Sequence, residues 1–167
     1  MIENLPPVID SCKLLLYADT SSDVEFTDRI NLHVGSSDGE FIRVGEQPYL
    51  IIAQPYSNQD EYLLMFCNSS LETVGVINFA SLHEAKLKAE KGYKGISDKW
   101  KPSPFTEDEV SNYLRDEYEV DPTSEWWKDE CSFCEKSSGL EMLIKGTKAS
   151  ICKSCIESFA SEINENI

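Results

Sequence analysis

The first half of the chain is a series of short runs rich in Val, Ile, Phe and Tyr, separated by clusters of Ser, Asn, Asp, Gly and Pro. Runs of this length and composition are typical of β-strands joined by brief turns. Ile30, Leu32 and Val34 alternate with Asn31 and His33, which indicates a sheet with one wet face. The predicted strands are residues 12–17, 24–34, 41–44, 49–53, 62–67 and 73–79.

The pattern changes to helical spacing after residue 80. Ser81-Leu82-His83-Glu84 fits a capping box, in which a hydroxyl and a carboxylate satisfy each other's backbone amides at a helix start. The predicted helix carries Leu82, Ala85 and Ala89 inward and ends between residues 92 and 95. The segment 99–104, with two prolines, is predicted to be a linker or an edge turn.

A second capping box, Thr106-Glu107-Asp108-Glu109, begins the next predicted helix. Its apolar face holds Val110, Tyr113 and Leu114, and Asp121-Pro122 is predicted to stop it. Strands followed by helices predict an α+β fold, with a mostly antiparallel sheet, one or two helices and a small C-terminal zinc-binding module. We expect an acidic α+β domain at 1–105, an acidic helix and connector at 106–130, and the zinc module at 131–167.

Four cysteines near the C-terminus form two C-x-x-C pairs, Cys131 with Cys134 and Cys152 with Cys155, with 17 residues between the pairs. This spacing predicts one structural Zn²⁺ held in a closed tetrahedron of thiolates, which leaves no open position for a substrate. Two disulfides or an iron–sulfur cluster are the alternatives.

The residues around these ligands follow an order that extends the motif. Cys131-Ser132-Phe133-Cys134 is followed by Lys136-Ser137, by Leu143-Ile144-Lys145-Gly146 and by Ile151-Cys152-Lys153-Ser154-Cys155-Ile156. This order resembles the N-terminal zinc-binding domain of the bacterial unfoldase ClpX, over residues 131–167 only. In that family the module dimerises and docks substrates and adaptors in front of an ATPase ring. The chain has no Gly-x-x-x-x-Gly-Lys-Ser/Thr phosphate loop, so the ATPase itself is absent.

Ile156, Phe159 and Ile163 recur at helical spacing after the last cysteine pair and predict an amphipathic final helix. The stripe is either the miniature core of the zinc module or, in part, a surface for a homodimer or for docking. So small an apolar set cannot stabilise the module alone, and metal binding is expected to supply much of its folding free energy.

Thirty acidic against 15 basic residues give a net charge of −15, and the acidity is uneven. Residues 1–80 carry 12 acidic and 3 basic side chains, and residues 106–130 carry 10 and 2, which gives −9 and −8. Such a surface disfavours nucleic acid and anionic membranes and attracts basic proteins. Solubility alone is the simpler interpretation.

The segment 106–130 also supplies a candidate partner-binding set: Asp116, Glu117, Glu119, Trp126 and Trp127. Adjacent tryptophans point in different directions, so one can pack inward while the other anchors a partner within the charged surroundings. Packing between domains is the simpler role for both.

Candidate catalytic residues are few. His33 and His83 are predicted to be surface or helix-start residues. Cys12 and Cys67 are predicted to be buried, unreactive thiols. A catalytic pair of either cysteine with His33 is the alternative. The first residues lack a basic start and an apolar core typical of a signal peptide, so we expect a cytoplasmic protein.

Three functions are consistent with these features. The first is a non-catalytic immunity (antitoxin-like) protein that neutralises a basic bacterial toxin, such as a nuclease, by direct binding. The second is an adaptor or regulator of a Clp-type protease. The third is an enzyme of unrecognised type with the zinc module as an accessory.

Overall fold

A computed structural model describes residues 5–21, 23–35, 39–120, 130–134, 143–147 and 149–165. It confirms an α+β fold with mostly antiparallel strands and a C-terminal cysteine cluster. Contacts divide the chain into two compact units, Met1–Val110 and Ser111–Ile167. The expected domain boundaries at residues 105 and 130 stay predictions.

Strands predominate in the first unit, and helices become more frequent toward the C-terminus. The strands are β1 (Val8–Ile9), β2 (Cys12–Asp19), β3 (Glu25–Phe26), β4 (His33–Gly35), β5 (Phe41–Arg43), β6 (Tyr49–Pro55), β7 (Tyr62–Cys67), β8 (Thr73–Phe79), β9 (Tyr93–Lys94), β10 (Lys101–Pro102), β11 (Leu143–Lys145) and β12 (Ser150–Cys152). The α-helices are α1 (Leu82–Gly92), α2 (Glu107–Tyr118) and α3 (Lys153–Glu165), and a short 3-10 turn spans Ile96–Asp98.

The main sheet of the first unit has the strand order β1-β2-β6-β7-β8, and β10 also pairs with β2. All of these pairs are antiparallel. β6 is central, and Leu50, Ile51, Ile52 and Ala53 within it are fully buried. Because neighbouring side chains of a strand point to opposite faces, this continuous apolar run supplies a core on each face of the sheet.

Helix α1 covers one of these faces. Ser81 caps it by accepting a hydrogen bond from the amide of Glu84 at 3.2 Å, which is the hydroxyl part of the predicted capping box. Ala85 and Ala89 are buried in the core that contains Leu50 and Ile52. Small side chains at these two positions allow the helix to approach the sheet closely.

The opposite face carries a second core built on Leu14, Ile51 and Met65. Cys12 and Cys67 are buried in it, as predicted for unreactive thiols. Since apolar side chains fill both faces of the central strands, the one wet face predicted from residues 30–34 does not extend to the main sheet.

The predicted long strand at residues 24–34 is wrong. The structure has only the short strands β3 and β4 there, separated by Asp28 and Asn31 with φ angles of 57° and 55°. Asp and Asn tolerate this left-handed conformation better than other side chains because their short polar groups bond to nearby backbone. Two such residues within four positions turn the chain away from an extended path.

The outer edge of β2 is closed by two short strands that sequence patterns did not reveal. Asp10 and Ser11 both have positive φ angles, 44° and 61°, and form a two-residue turn between β1 and β2. Further along the same edge, Lys101 and Pro102 of β10 lie opposite Tyr17 and Leu16. The segment 99–104 is therefore an edge element of the first unit.

Helix α2 begins with the complete predicted capping box. The amide of Glu109 donates to Thr106 Oγ1 at 3.3 Å, and the amide of Thr106 donates to Glu109 Oε2 at 2.7 Å. The helix ends at Tyr118, where Glu119 adopts a φ of 55° and the amide of Val120 donates to the carbonyl of Leu114. It ends before the predicted stop at Asp121-Pro122, which lies outside the described residues.

Of the helices that the structure describes, α3 is the longest with 13 residues. None of them combines the length and apolar character that crossing a bilayer requires.

The Glu90 carboxylate fastens the end of α1 to the following turn. It accepts hydrogen bonds from the amide of Gly95 at 2.8 Å and from the amide and hydroxyl of Ser97 at 3.0 and 2.7 Å. Partial burial opposes ionisation, but these donors outweigh it and lower the pKa of Glu90. The ionised carboxylate therefore contributes stability at neutral pH.

We expect Glu90→Gln to lower the free energy of unfolding by about 1–2 kcal/mol at pH 7, because it removes charge-assisted hydrogen bonds. The pKa is lower in the folded state, so this contribution is present above the unfolded pKa and is lost as pH falls through the folded pKa. Urea unfolding of both proteins between pH 7 and pH 3 measures the difference. A difference that persists unchanged at pH 3 would contradict the role of the charge.

Candidate metal centre

Two local elements present the four cysteines. Cys131 precedes a tight turn at residues 132–134, and Cys134 is the last residue of that turn. Cys152 is the last residue of β12, and Cys155 lies in the first turn of α3. β11 and β12 form a hairpin in which Leu143 lies opposite Cys152. The two-residue spacers place both sulfurs of each pair on the same side of the chain, which is how C-x-x-C pairs serve as metal ligands.

The four Sγ atoms all lie within 4.8 Å of one another. Cys131 Sγ is 3.7 Å from Cys155 Sγ, and Cys134 Sγ is 3.8 Å from Cys152 Sγ. Four sulfurs at about 2.3 Å from a central metal would be separated by about 3.8 Å. A disulfide requires about 2.05 Å, and all four cysteines are free. The cluster therefore has the dimensions of a tetrahedral metal site.

Hydrogen bonds to the sulfur of Cys131 favour its thiolate. Burial opposes ionisation of Cys131, but amides of Cys152, Phe133 and Cys134 donate to its Sγ, and its pKa is lowered to about 6. Burial and the neighbouring sulfurs raise the pKa of Cys155 to about 12. Four thiolates this close together are stable only when a cation compensates their charge.

A pair of serines holds the first cysteine turn against the hairpin. The amide of Ser132 donates to the carbonyl of Ser150 at 2.8 Å, and the amide of Ser150 donates to Ser132 Oγ at 2.9 Å. The sequence pattern includes Ser132 only as part of the motif. The contact joins residues 18 positions apart. The only sequence signal that indicates it is a serine between the first two cysteines.

Burial differs between the ligands. Cys131 and Cys152 are 1% and 5% exposed, whereas Cys134 and Cys155 are half-buried. With four sulfurs already in place, a tetrahedral ion has no free position for water or substrate. A closed set of four cysteine ligands is typical of structural metal sites.

The predicted helical stripe is partly exposed. Phe159 and Ile163 on α3 are 38% and 61% exposed. Phe133, between the first two cysteines, is 56% exposed and meets Phe159 edge-on, with ring centroids 5.4 Å apart. The apolar stripe of α3 is therefore not a fully buried core of the cysteine module.

The candidate acidic residues of α2 and its C-terminal cap lie at the surface. Asp116, Glu117 and Glu119 are exposed, while Val110 and Leu114 are buried, which matches the predicted apolar face. No ion pair between described residues involves any of the three carboxylates. Trp126 and Trp127 lie outside the described residues.

The remaining nucleophile candidates are in different environments. Burial is the main cause that raises the pKa of Cys12 to about 12 and that of Cys67 to about 11, so both thiols stay protonated at neutral pH. His33 is exposed on β4, with Nδ1 3.3 Å from the carbonyl of Asn31. His83 is exposed in the first turn of α1.

No protein-family model, curated protein or solved structure matches this chain.

Proposed function

We propose that Cys131, Cys134, Cys152 and Cys155 hold one structural Zn²⁺ in a module of the ClpX type. The sulfur–sulfur distances of 3.7 and 3.8 Å carry this proposal, because they fit a tetrahedron of thiolates around zinc. A single iron in the same S₄ set is the chemical alternative. The residue order from Cys131 to Ile156 supports the ClpX-like module.

The chain's function is then to bind another protein, and zinc stabilises part of the scaffold. The acidic surface supports a basic partner, most directly at α2, where Asp116, Glu117 and the capping residue Glu119 are exposed and form no ion pair within the described structure. Exposed like charges raise the rate of encounter with an oppositely charged surface.

An immunity protein against a basic toxin suits these features best. A nuclease cleft is basic because it binds phosphates, and a cluster of carboxylates can occupy the place of the phosphate backbone. Affinity capture of the tagged protein from its native host, followed by mass spectrometry, identifies the partner. A basic toxin among the captured proteins supports this function, whereas a Clp-type protease supports the adaptor.

The adaptor function rests on a separate observation, the partly exposed Phe133, Phe159 and Ile163 of the cysteine module. Apolar groups left at the surface of a small module are suited to protein contacts. A homodimer through this stripe is a second use of the same surface.

Once the partner is known, changing Asp116, Glu117 and Glu119 together to their amides is expected to slow association about 10-fold at low salt. The salt dependence of association should flatten as well, since charge governs encounter. Trp127→Ala should mainly speed dissociation, because buried aromatic anchors govern residence time. Surface plasmon resonance at several salt concentrations measures both rates.

A matched control changes Glu46, Asp60 and Glu84, exposed residues of the first unit, to their amides. The control removes the same net charge at a different place. Equal slowing by both triple variants would show that only total charge matters. No effect of either the α2 amides or Trp127→Ala would place the interface elsewhere, with the acidic region 1–80 as the next candidate.

A further inference from the structure

Strand β8 forms one end of the main sheet. It pairs with β7 from Tyr62 opposite Phe79 to Cys67 opposite Thr73, and no other described strand pairs with it. Among the described residues, no backbone hydrogen bond outside this ladder reaches residues 74–79. Within the described residues, the outer side of β8 therefore presents a row of backbone N–H and C=O groups that can accept another strand. Leu32 and Val44 lie against Gly75 without pairing with its backbone.

The two ends of the sheet differ. At the other end, β1 and β10 cover the outer edge of β2, and β10 contributes Lys101 and Pro102, residues that oppose further pairing. β8 has neither device, since its seven residues Thr-Val-Gly-Val-Ile-Asn-Phe include no charge and no proline. The register irregularity opposite Phe66 and Cys67 affects only its beginning, so Gly75 to Phe79 form a regular edge.

Val76 marks the middle of this edge. It is the fourth of the seven residues and is 47% exposed, although β-branched apolar side chains usually gain stability from burial against a neighbouring strand. Two antiparallel copies of β8 centred on Val76 would pair within the regular part of the edge. Val76 would face its own copy, and Gly75 would face Ile77.

We propose that two copies of this chain pair antiparallel through their β8 edges, about a two-fold axis beside Val76. Charge favours this strand for self-association. The chain carries −15, so most surfaces would repel a second copy, whereas β8 contains no ionisable side chain. Glu61 and Glu72 adjoin the β7–β8 pair, and their repulsion across the axis is weakened by salt.

Analytical ultracentrifugation of the full-length, metal-loaded chain tests this inference at about 50 mM and about 500 mM salt, which change the screening length severalfold. We expect a monomer–dimer equilibrium that tightens with salt, opposite to the weakening expected for a basic partner. Val76→Lys should weaken dimerisation at least about 100-fold, because two like charges would meet at the axis. Val76→Thr, which keeps a β-branched uncharged residue, should dimerise within about 3-fold of the wild type.

Ile163→Lys on α3 separates this dimer from one through the cysteine module. If the interface is formed by β8, the Ile163→Lys variant should dimerise as the wild type does. A chain that remains monomeric in all conditions overturns the inference, as does a dimer lost in Ile163→Lys and kept in Val76→Lys. Hydrogen exchange of the wild type adds a readout without substitution: amides of β8 that exchange equally fast in dilute and concentrated protein also overturn it.

Discussion

Replacing Cys152 by serine is expected to abolish stoichiometric metal binding and to unfold the cysteine module, while the first unit keeps its structure. Cys152 is 5% exposed, joins β12 to α3, and its amide donates to Cys131 Sγ at 3.4 Å. Serine leaves three thiolates and a poor fourth ligand. We expect zinc affinity to fall by at least about 100-fold, more than changes outside the ligand shell usually cost. We expect metal binding to supply much of the folding free energy of so small a module, so the NMR signals of the module should lose their chemical-shift dispersion in this variant.

Cys67→Ser is the matched control, because it makes the same change at a buried cysteine outside the cluster. It should reduce the stability of the first unit but retain one metal per chain. Metal content and two-dimensional NMR spectra of the two variants distinguish the sites. Unchanged signals from residues 143–165 in Cys152→Ser would refute the structural role of the metal.

Phe66→Ala should have the largest effect on the first unit, lowering its free energy of unfolding by about 3–5 kcal/mol. Phe66 is 2% exposed on β7, lies in the core beneath α1, and has its ring centroid 6.4 Å from that of Tyr93. Its truncation leaves a cavity that the surrounding strands cannot easily close. Urea unfolding followed by near-ultraviolet circular dichroism measures the loss.

Phe41→Ala provides the comparison, since Phe41 is 80% exposed on β5. The same chemical change there should alter stability by no more than about 0.5 kcal/mol. Phe66→Ala should also leave metal content unchanged. Equal effects of the two substitutions would contradict the position of the core.

The pattern of the chain predicts the best-packed elements well. The predicted limits of residues 62–67 and 73–79 match β7 and β8, because both are short apolar runs bounded by clear turn residues. The start of α2 is also predictable, since Thr106 and Glu109 interact within a single helical turn. These features depend on neighbours in sequence.

Elements that depend on distant partners could not be predicted in this way. β10 has only two residues and exists because Lys101 and Pro102 lie beside β2. The break between β3 and β4 depends on left-handed Asp28 and Asn31, side chains that are also common in ordinary turns and at strand ends. A periodicity in residues 30–34 that resembles a strand is not sufficient evidence for one.

The metal site falls between these cases. Two C-x-x-C pairs identify the ligands because the spacer itself determines which side the sulfurs face. The contact between Ser132 and Ser150 that fixes the first pair against β12 is non-local and needed the structure. Partner surfaces such as Asp116, Glu117 and Glu119 depend on a second molecule, so exposure and charge support them only as proposals.

Metal analysis of the purified chain tests the central claim most directly. Protein prepared without chelators should contain one zinc atom per chain by inductively coupled plasma mass spectrometry, and variants of Cys131, Cys134, Cys152 or Cys155 should each contain almost none. A wild-type chain with no metal, or with iron in place of zinc, would contradict the proposed zinc centre.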